Sequence, residues 1–513
     1  GIWMNTQRPE WNDANNALVG NGVSAVTLYY IRRFQNYLLN LFLSADFSEV
    51  NISTELVKLF DSVNEIFTKA ASRKNEDLSD LYRKQLLDQL GAAASEYREN
   101  FYINGVSNTR CTIKVRSLLA FFRLSLRLID KSISDNRRDD GLYHAYNLMT
   151  VNNSGIEVSR LYEMLEGQVA VLSSGYLSPK QALKVLSALR NSDIYDERQG
   201  SYLLYPDRKL PRFLDLNVIP SEQFQRSQLL QALVLDNDYS LVEADSYGGY
   251  YFNGAFNNVQ GVKDTLKKLA AKGYKTLVAQ DQSLIMQIFE DVFKHHRFTG
   301  RSGGMYAYEG LGCIYWHMVS KLLLATIENI FNAKKRNTDN EIIDALMKCY
   351  FEIRSGIGFN KTPQHYGAFP TDPYSHTPGF AGAKQPGMTG QVKEEIITRL
   401  MELGIRVEDG CIRFHPFILR KSEFLLSPKT FHYFDVNGQQ AKLELVVGQM
   451  AFTYCQIPVV YQMGSKFSIE ITYLGGENEE IEDSFIDRCI SAVIFNKTGV
   501  VHRIKVTLDP GLG

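Results

Sequence analysis

VSAVTLYYIRRFQNYLLNLFLS, residues 23–44, decides how the chain is read. Apolar residues recur in it at helical spacing for long enough to predict an amphipathic helix without ambiguity. Segments near 52–71, 75–100, 112–133, 157–172 and 179–190 repeat the style, so helices dominate the first two-thirds. Between them, the polar run 135–154, with RRDDG and VNNSG, reads as a long loop. Residues 201–220 are too rich in proline and aromatics for a helix and too apolar for a solvated linker. A short helix near 222–234 follows, then a hairpin through Asp245–Asn253 turning on Gly248-Gly249. Further helices are expected near 261–271, 281–296, 311–333, 338–354 and 390–403. The Gly- and Pro-rich stretch 356–387 is the longest irregular segment, and its aromatics argue for an ordered, functional loop.

Beyond Gly404 the pattern changes. CIRFHPFI, TFHYFDV, AKLELVV, AFTYCQIPVVYQM, KFSIEITYL, SAVIFN and HRIKVTL alternate and are rich in β-branched and aromatic residues, with turns at Glu408-Asp409-Gly410 and Val436-Asn437-Gly438. Residues 1–403 are therefore expected to form a helical domain and 404–513 a small antiparallel β-domain. No repeat of solenoid period is present. Helices of about 20 residues alternating with long loops suit a toroid of helical hairpins, with a plain bundle as the alternative.

The composition excludes several classes. The 513 residues are 44% hydrophobic and 22% charged, and 56 Lys+Arg against 57 Asp+Glu leave a net charge of -1. That balance gives no electrostatic case for nucleic acid or an anionic membrane. No apolar run reaches bilayer length and no signal peptide opens the sequence, which predicts a cytoplasmic protein, a periplasmic one also fitting. Cys111, Cys313, Cys349, Cys411, Cys455 and Cys489 are widely spaced without a CxxC pair, as in reduced core thiols rather than a disulfide framework or zinc site.

Three clusters carry chemistry. Arg8-Pro9-Glu10-Trp11-Asn12-Asp13-Ala14-Asn15-Asn16-Ala17-Leu18 gathers two carboxylates, an indole and side-chain amides just ahead of the helix at 23–44. A carboxyl to protonate a glycosidic oxygen, an aromatic face for a pyranose and amides for hydroxyls make up a saccharide-cleaving loop. Trp11 beside Asp13 would raise the acid's pKa by desolvation. The same residue types also cap helices. In the second cluster, Gly303, Gly304 and Gly310 free backbone N–H groups around Tyr306, Tyr308 and Glu309, ahead of a helix on which His317 and Lys321 share a face. A core histidine and a snorkelling lysine are the plainer reading of the last two. The third cluster runs from His376 to Gln391, where Lys384, Thr389 and Gln391 suit an oxyanion at a helix entrance. The P-loop order is absent, and a cap with a turn before the helix near 390–403 accounts for the cluster as well.

The order of these clusters resembles the inverting glycoside phosphorylases of the cellobiose and chitobiose phosphorylase type, glycoside hydrolase family 94, and related β-glucan phosphorylases. The resemblance rests on Trp11-Asn12-Asp13 with Asn16, on Gly303-Gly304 followed by Tyr306, and on Gly387-Met388-Thr389-Gly390. It implies an (α/α)6 barrel with a carboxy-terminal β-domain, Asp13 as general acid, and Thr389 in a phosphate site. Where the family carries a phosphate-binding His after the Gly-Gly-aromatic segment, this chain has Tyr308, so His317 or Lys321 would substitute. In the family the acid lies midway through the barrel, whereas twelve residues precede Asp13. The resemblance then covers the carboxy-terminal half of such an enzyme, and an amino-terminal half is an expected partner.

The resulting expectation is phosphorolysis of a β-linked gluco-oligosaccharide with inversion. Glu10, Trp11, Asn12, Asn16, Tyr306 and Tyr308 would contact sugar, and His317, Lys384, Thr389 and Gln391 phosphate. No metal or organic cofactor is implied, inorganic phosphate being the co-substrate, and the family tends towards homodimers. Two alternatives stand: an inverting hydrolase with Glu309 as base, or a non-catalytic carbohydrate-binding part of a larger enzyme.

Overall fold

The computed structural model describes residues 1–4, 18, 20–73, 79–206, 213–256, 258–293, 313–357, 374–378, 385–386 and 390–509. The helix read from residues 23–44 spans Ala25–Leu43 (α1), and the Ser24 hydroxyl caps it by accepting from the Thr27 N–H at 3.0 Å. Strand Gly22–Ser24 leads into it within an antiparallel sheet ordered Ile2–Trp3, Gly22–Ser24, Tyr146–Asn152, Gly155–Arg160. Two of those strands replace the predicted loop at 135–154 and the start of the predicted helix at 157–172. The turn Asn152–Gly155 reverses the chain there, and the Asn152 carboxamide accepts from the Ser154 and Gly155 N–H groups at 2.9 Å.

Helices Thr54–Ser72 (α2) and Asp80–Asn104 (α3) form an excursion between strands Glu49–Ser53 and Arg110–Lys114, which pair with each other. Neither helix has a fully buried residue, so both stand outside the main core. Helix Val115–Ser134 (α4) returns to pack on α1. Helix Leu165–Ser173 (α5) is buried from Leu165 to Leu172. Its carboxy-terminal carbonyls are held by two α1 guanidinium groups: Arg33 donates to the Ser173 oxygen at 3.3 Å and Arg32 to the Ser174 oxygen at 2.9 Å. Helix Pro179–Arg190 (α6) follows with a full capping box from Ser178 and Gln181.

Residues 219–292 contribute a separate hydrophobic core, from Ile219 through Leu241 and Phe252 to Val292. It is built from short helices Ser221–Arg226 (α7) and Gln228–Leu235 (α8), a hairpin of Val242–Ala244 with Tyr250–Phe252, and helices Val259–Leu269 (α9) and Lys275–Phe293 (α10). The Gly248 turn is where the sequence puts it, with φ +86°. Asp281 on α10 is 4% exposed and caps α8 from a distance, accepting from Ser227 Oγ at 2.9 Å and the Leu229 N–H at 2.7 Å. Asp281→Ala strands both donors in the interior. It is expected to destabilise this unit by about 2–3 kcal/mol, read as earlier proteolysis within 213–293.

The main core centres on helix Trp316–Lys335 (α11), which packs against α5, helix Asn340–Ser355 (α12) and helix Gly390–Glu402 (α13). After it, Gly404, with φ +75°, turns the chain into strand Ile405–Glu408. A five-stranded sheet follows in the order Gln449–Tyr454, Ile457–Met463, Val501–Leu508, Ser468–Tyr473, Asn478–Ile481. Helix Arg488–Phe495 (α14) flanks a core from Leu403 to Leu508. Strands Ile457–Met463 and Val501–Leu508 run parallel, so this sheet is mixed rather than antiparallel throughout.

The expected (α/α)6 barrel is not what forms. The structure is 50% helix and 23% strand spread over several small sheets, and its described residues close no helical barrel. Two of the helices counted on periodicity, α2 and α3, stand apart, and those of 219–292 bury their apolar faces in a core of their own. Helical spacing reports that a face is apolar, not which neighbour covers it. Cys111, Cys349, Cys411, Cys455 and Cys489 are free thiols, and no described helix is long and apolar enough to cross a membrane.

Candidate functional site

The loop carrying Glu10, Trp11, Asn12, Asp13 and Asn16 lies outside the described residues, but its two ends are placed. Met4 and Gly20 meet through the Gly20 N–H donating to the Met4 oxygen at 2.6 Å, and the Met4 N–H donates to the Gly22 oxygen at 2.9 Å. Leu18 is 1% exposed in the main core. A Cβ at Gly22 would sit 2.4 Å from Leu18 Cβ, so glycine is what allows this close approach. The loop therefore leaves and re-enters at a pinned point just before α1.

The second and third clusters are brought together. Strand Cys313–Tyr315, which runs directly into α11, pairs with Tyr374–Pro378, which in turn pairs with Gln385–Pro386 just before α13. Tyr306, Tyr308, Glu309, Lys384 and Thr389 lie outside the described residues, as does the side chain of Gln391 at the start of α13. His317, near the start of α11, is the described member of the predicted set.

His317 is held between two elements. Its Nε2 lies 3.4 Å from Glu394 Oε1 on α13, and its Nδ1 lies 3.4 Å from the Tyr315 hydroxyl. Burial pushes the imidazole pKa down, Lys321 one turn along and Lys393 push the same way, and Glu394 opposes them. Glu394 is 7% exposed, and among the described residues its Oε2 has no hydrogen-bond partner. Spacing within one helix had suggested Lys321 beside His317. Glu394 is 77 residues further on, and nothing local in the sequence ties the two together.

Glu166, near the start of α5, is 5% exposed and accepts from the Tyr146 hydroxyl at 2.7 Å. A Cβ at Gly167 would stand 2.9 Å from the Tyr143 oxygen, so glycine lets the start of α5 press against the chain leading into strand Tyr146–Asn152. The hydroxyl of Tyr30 on α1 feels both carboxylates, Glu166 and Glu394. Its pKa is pushed up to about 12 by burial, with Arg33 acting against the rise and the carboxylates of Glu166, Glu328 and Glu394 adding to it. The start of α11 thus meets α13 at His317 and Glu394, the start of α5 meets strand Tyr146–Asn152 at Glu166, and Tyr30 on α1 feels the charge of both carboxylates. Helix starts carry exposed N–H groups and the positive dipole end, which favours bound anions.

The unit at 213–293 lies outside this cluster in sequence and has its own core. Residues 210–296 match the family model for GH149 phosphorylase insertion domain 2. The match encloses the separate core of Ile219–Val292, so a boundary drawn by sequence similarity coincides with one drawn by packing. This insertion domain is a feature of a glycoside phosphorylase family, which supports a phosphorylase-type carbohydrate enzyme. It supports neither family 94 in particular nor a carboxy-terminal placement within such an enzyme. No curated protein matches the chain. The sequence signal for the insertion domain was the shift from helices of about 20 residues to a short one near 222–234 followed by a hairpin, where the structure has two short helices.

Proposed function

We propose that the protein is an inverting glycoside phosphorylase that cleaves a β-linked gluco-oligosaccharide with inorganic phosphate and releases an α-configured sugar 1-phosphate. The match of residues 210–296 to a phosphorylase insertion domain carries the reading. The helix starts of α11 and α13, which meet at His317 and Glu394, support it, because phosphorolysis needs an anion held beside the saccharide and helix starts favour one.

In this reading Asp13 donates its proton to the leaving glycosidic oxygen while phosphate attacks the anomeric carbon from the opposite face. The phosphate oxygen forms the new C–O bond as the glycosidic C–O bond breaks, so no second catalytic carboxylate is required. Trp11, Asn12, Asn16, Glu10, Tyr306 and Tyr308 contact the sugar. His317, Lys384, Thr389 and Gln391 hold the phosphate. Placing charged and hydrogen-bonding groups where the attacking oxyanion sits lowers the barrier without reorganisation during the reaction.

The test is incubation with β-linked gluco-oligosaccharides with and without inorganic phosphate. Sugar release that requires phosphate is the expected result. Equal release of reducing sugar in its absence would identify a hydrolase and overturn the reading.

A further inference from the structure

We propose that Glu394 is the positioning residue of a His317-centred anion subsite: its carboxylate fixes the imidazole and supplies the counter-charge that helps the ring take up a proton when an anion binds. The inference rests on the phosphorolysis reading and assigns that reaction a residue absent from the three sequence clusters.

The geometry argues it from both sides of the ring. The contacts from His317 Nε2 to Glu394 Oε1 and from Nδ1 to the Tyr315 hydroxyl, each 3.4 Å, are at the long end of hydrogen bonding and straddle the imidazole. Long catalytic contacts of this kind tighten when substrate fills the site. A carboxylate on one ring nitrogen orients the ring and favours its cationic form, as carboxylates behind metal-bound histidines do. The charged and titratable groups facing the ring among the described residues are Lys321 on its own helix, Lys393 and Glu394 on α13, and Tyr315 on the strand before it. Two cations and burial oppose protonation, and Glu394 is the group that favours it. Its second oxygen is buried without a partner among the described residues. A buried carboxylate oxygen left so is costly unless something in the working site reaches it.

The sign of the effect follows. Glu394→Gln keeps the shape of the side chain and removes its charge, leaving burial, Lys321 and Lys393 to act alone, so the His317 pKa falls. The cationic imidazole is then lost at a lower pH than in the wild type. KM for phosphate is expected to rise about tenfold near neutrality, the magnitude of one charge-assisted hydrogen bond, with kcat within about threefold. Comparing variant and wild type at each pH cancels the ionisation of phosphate itself. His317→Asn should remove the pH difference, and Glu394→Gln on top of it should add nothing further to KM. Glu394→Asp, which restores the charge, should recover part of the phosphate affinity.

A second measurement reads the pair without catalysis. Histidine ring 13C NMR, with the His317 signal assigned by its absence in His317→Asn, should show a lower titration midpoint in Glu394→Gln. An unchanged midpoint together with an unchanged pH dependence of KM for phosphate overturns the inference and leaves phosphorolysis standing. A wild-type enzyme that releases sugar without phosphate overturns the function, and the inference with it. Should Glu394→Gln fail to fold, Glu394→Asp and His317→Asn decide the same question through the pH dependence of KM.

Discussion

Asp13→Asn is expected to lower phosphorolysis of an unactivated oligosaccharide about 10²–10⁴-fold, the range that a positioned general acid contributes. The amide matches the carboxyl in shape but has no proton to give to the departing oxygen. An aryl glucoside whose phenol leaves without protonation should narrow the loss sharply, because that substrate does not use the acid. KM for the oligosaccharide should move little, since the proton is transferred only in the transition state. If Asp13 merely capped the helix that follows, its replacement by another capping residue would change stability by well under 1 kcal/mol and leave turnover intact. Steady-state kinetics on the two substrates separate the outcomes.

Glu402→Ala is expected to produce the largest loss of stability, about 3–5 kcal/mol, the cost of removing one partner from a buried ionic group. Glu402, 3% exposed at the end of α13, accepts from the Tyr350 hydroxyl and from Arg399 Nη1 at 2.5 Å, and pairs with Arg354 Nε at 3.1 Å. Arg399 also reaches Glu423, at 2.5 Å, in the segment after the turn at Gly404. Tyr350 is fully buried, and the pairing with Glu402 adds to the burial that drives its pKa up. Truncation leaves the buried Tyr350 hydroxyl without its acceptor, takes one carboxylate from Arg399 and Arg354, and loosens the join between α13 and the strands beyond it. Because α13 also carries Glu394, the variant should lose phosphate affinity along with stability. Thermal unfolding and limited proteolysis after residue 402 read the first effect, and KM for phosphate reads the second.

How far the sequence could be read depended on whether the physics was local. The helix at 23–44 was legible because its apolar period runs for several turns and Ser24 stands at its start, and the hairpin at 242–252 because Gly248-Gly249 admits few other turns. The strand pair 146–160 was missed because Asn152 to Gly155 looks like loop chemistry and the apolar residues around it fit either period. The barrel was the wrong architecture because helix faces were assigned to a common ring. The packing instead gives residues 219–292 a core of their own and leaves α2 and α3 outside.

The site divides along the same line. His317 was visible as a histidine on a helix start beside a glycine-rich stretch. Glu394 and Glu166 were not, since their relation to His317, Tyr146 and Tyr30 exists only after α1, α5, α11 and α13 pack together. Packing of distant helices brings charges within reach of one another, and no spacing rule within a window of sequence encodes that.

Phosphorus and proton NMR of the protein incubated with a β-linked gluco-oligosaccharide and inorganic phosphate is the most direct measurement. Phosphorolysis with inversion predicts a growing signal from an α-configured sugar 1-phosphate, matched by loss of inorganic phosphate and absent without it. Free reducing sugar appearing at the same rate with or without phosphate, with the phosphate signal unchanged, would contradict the account.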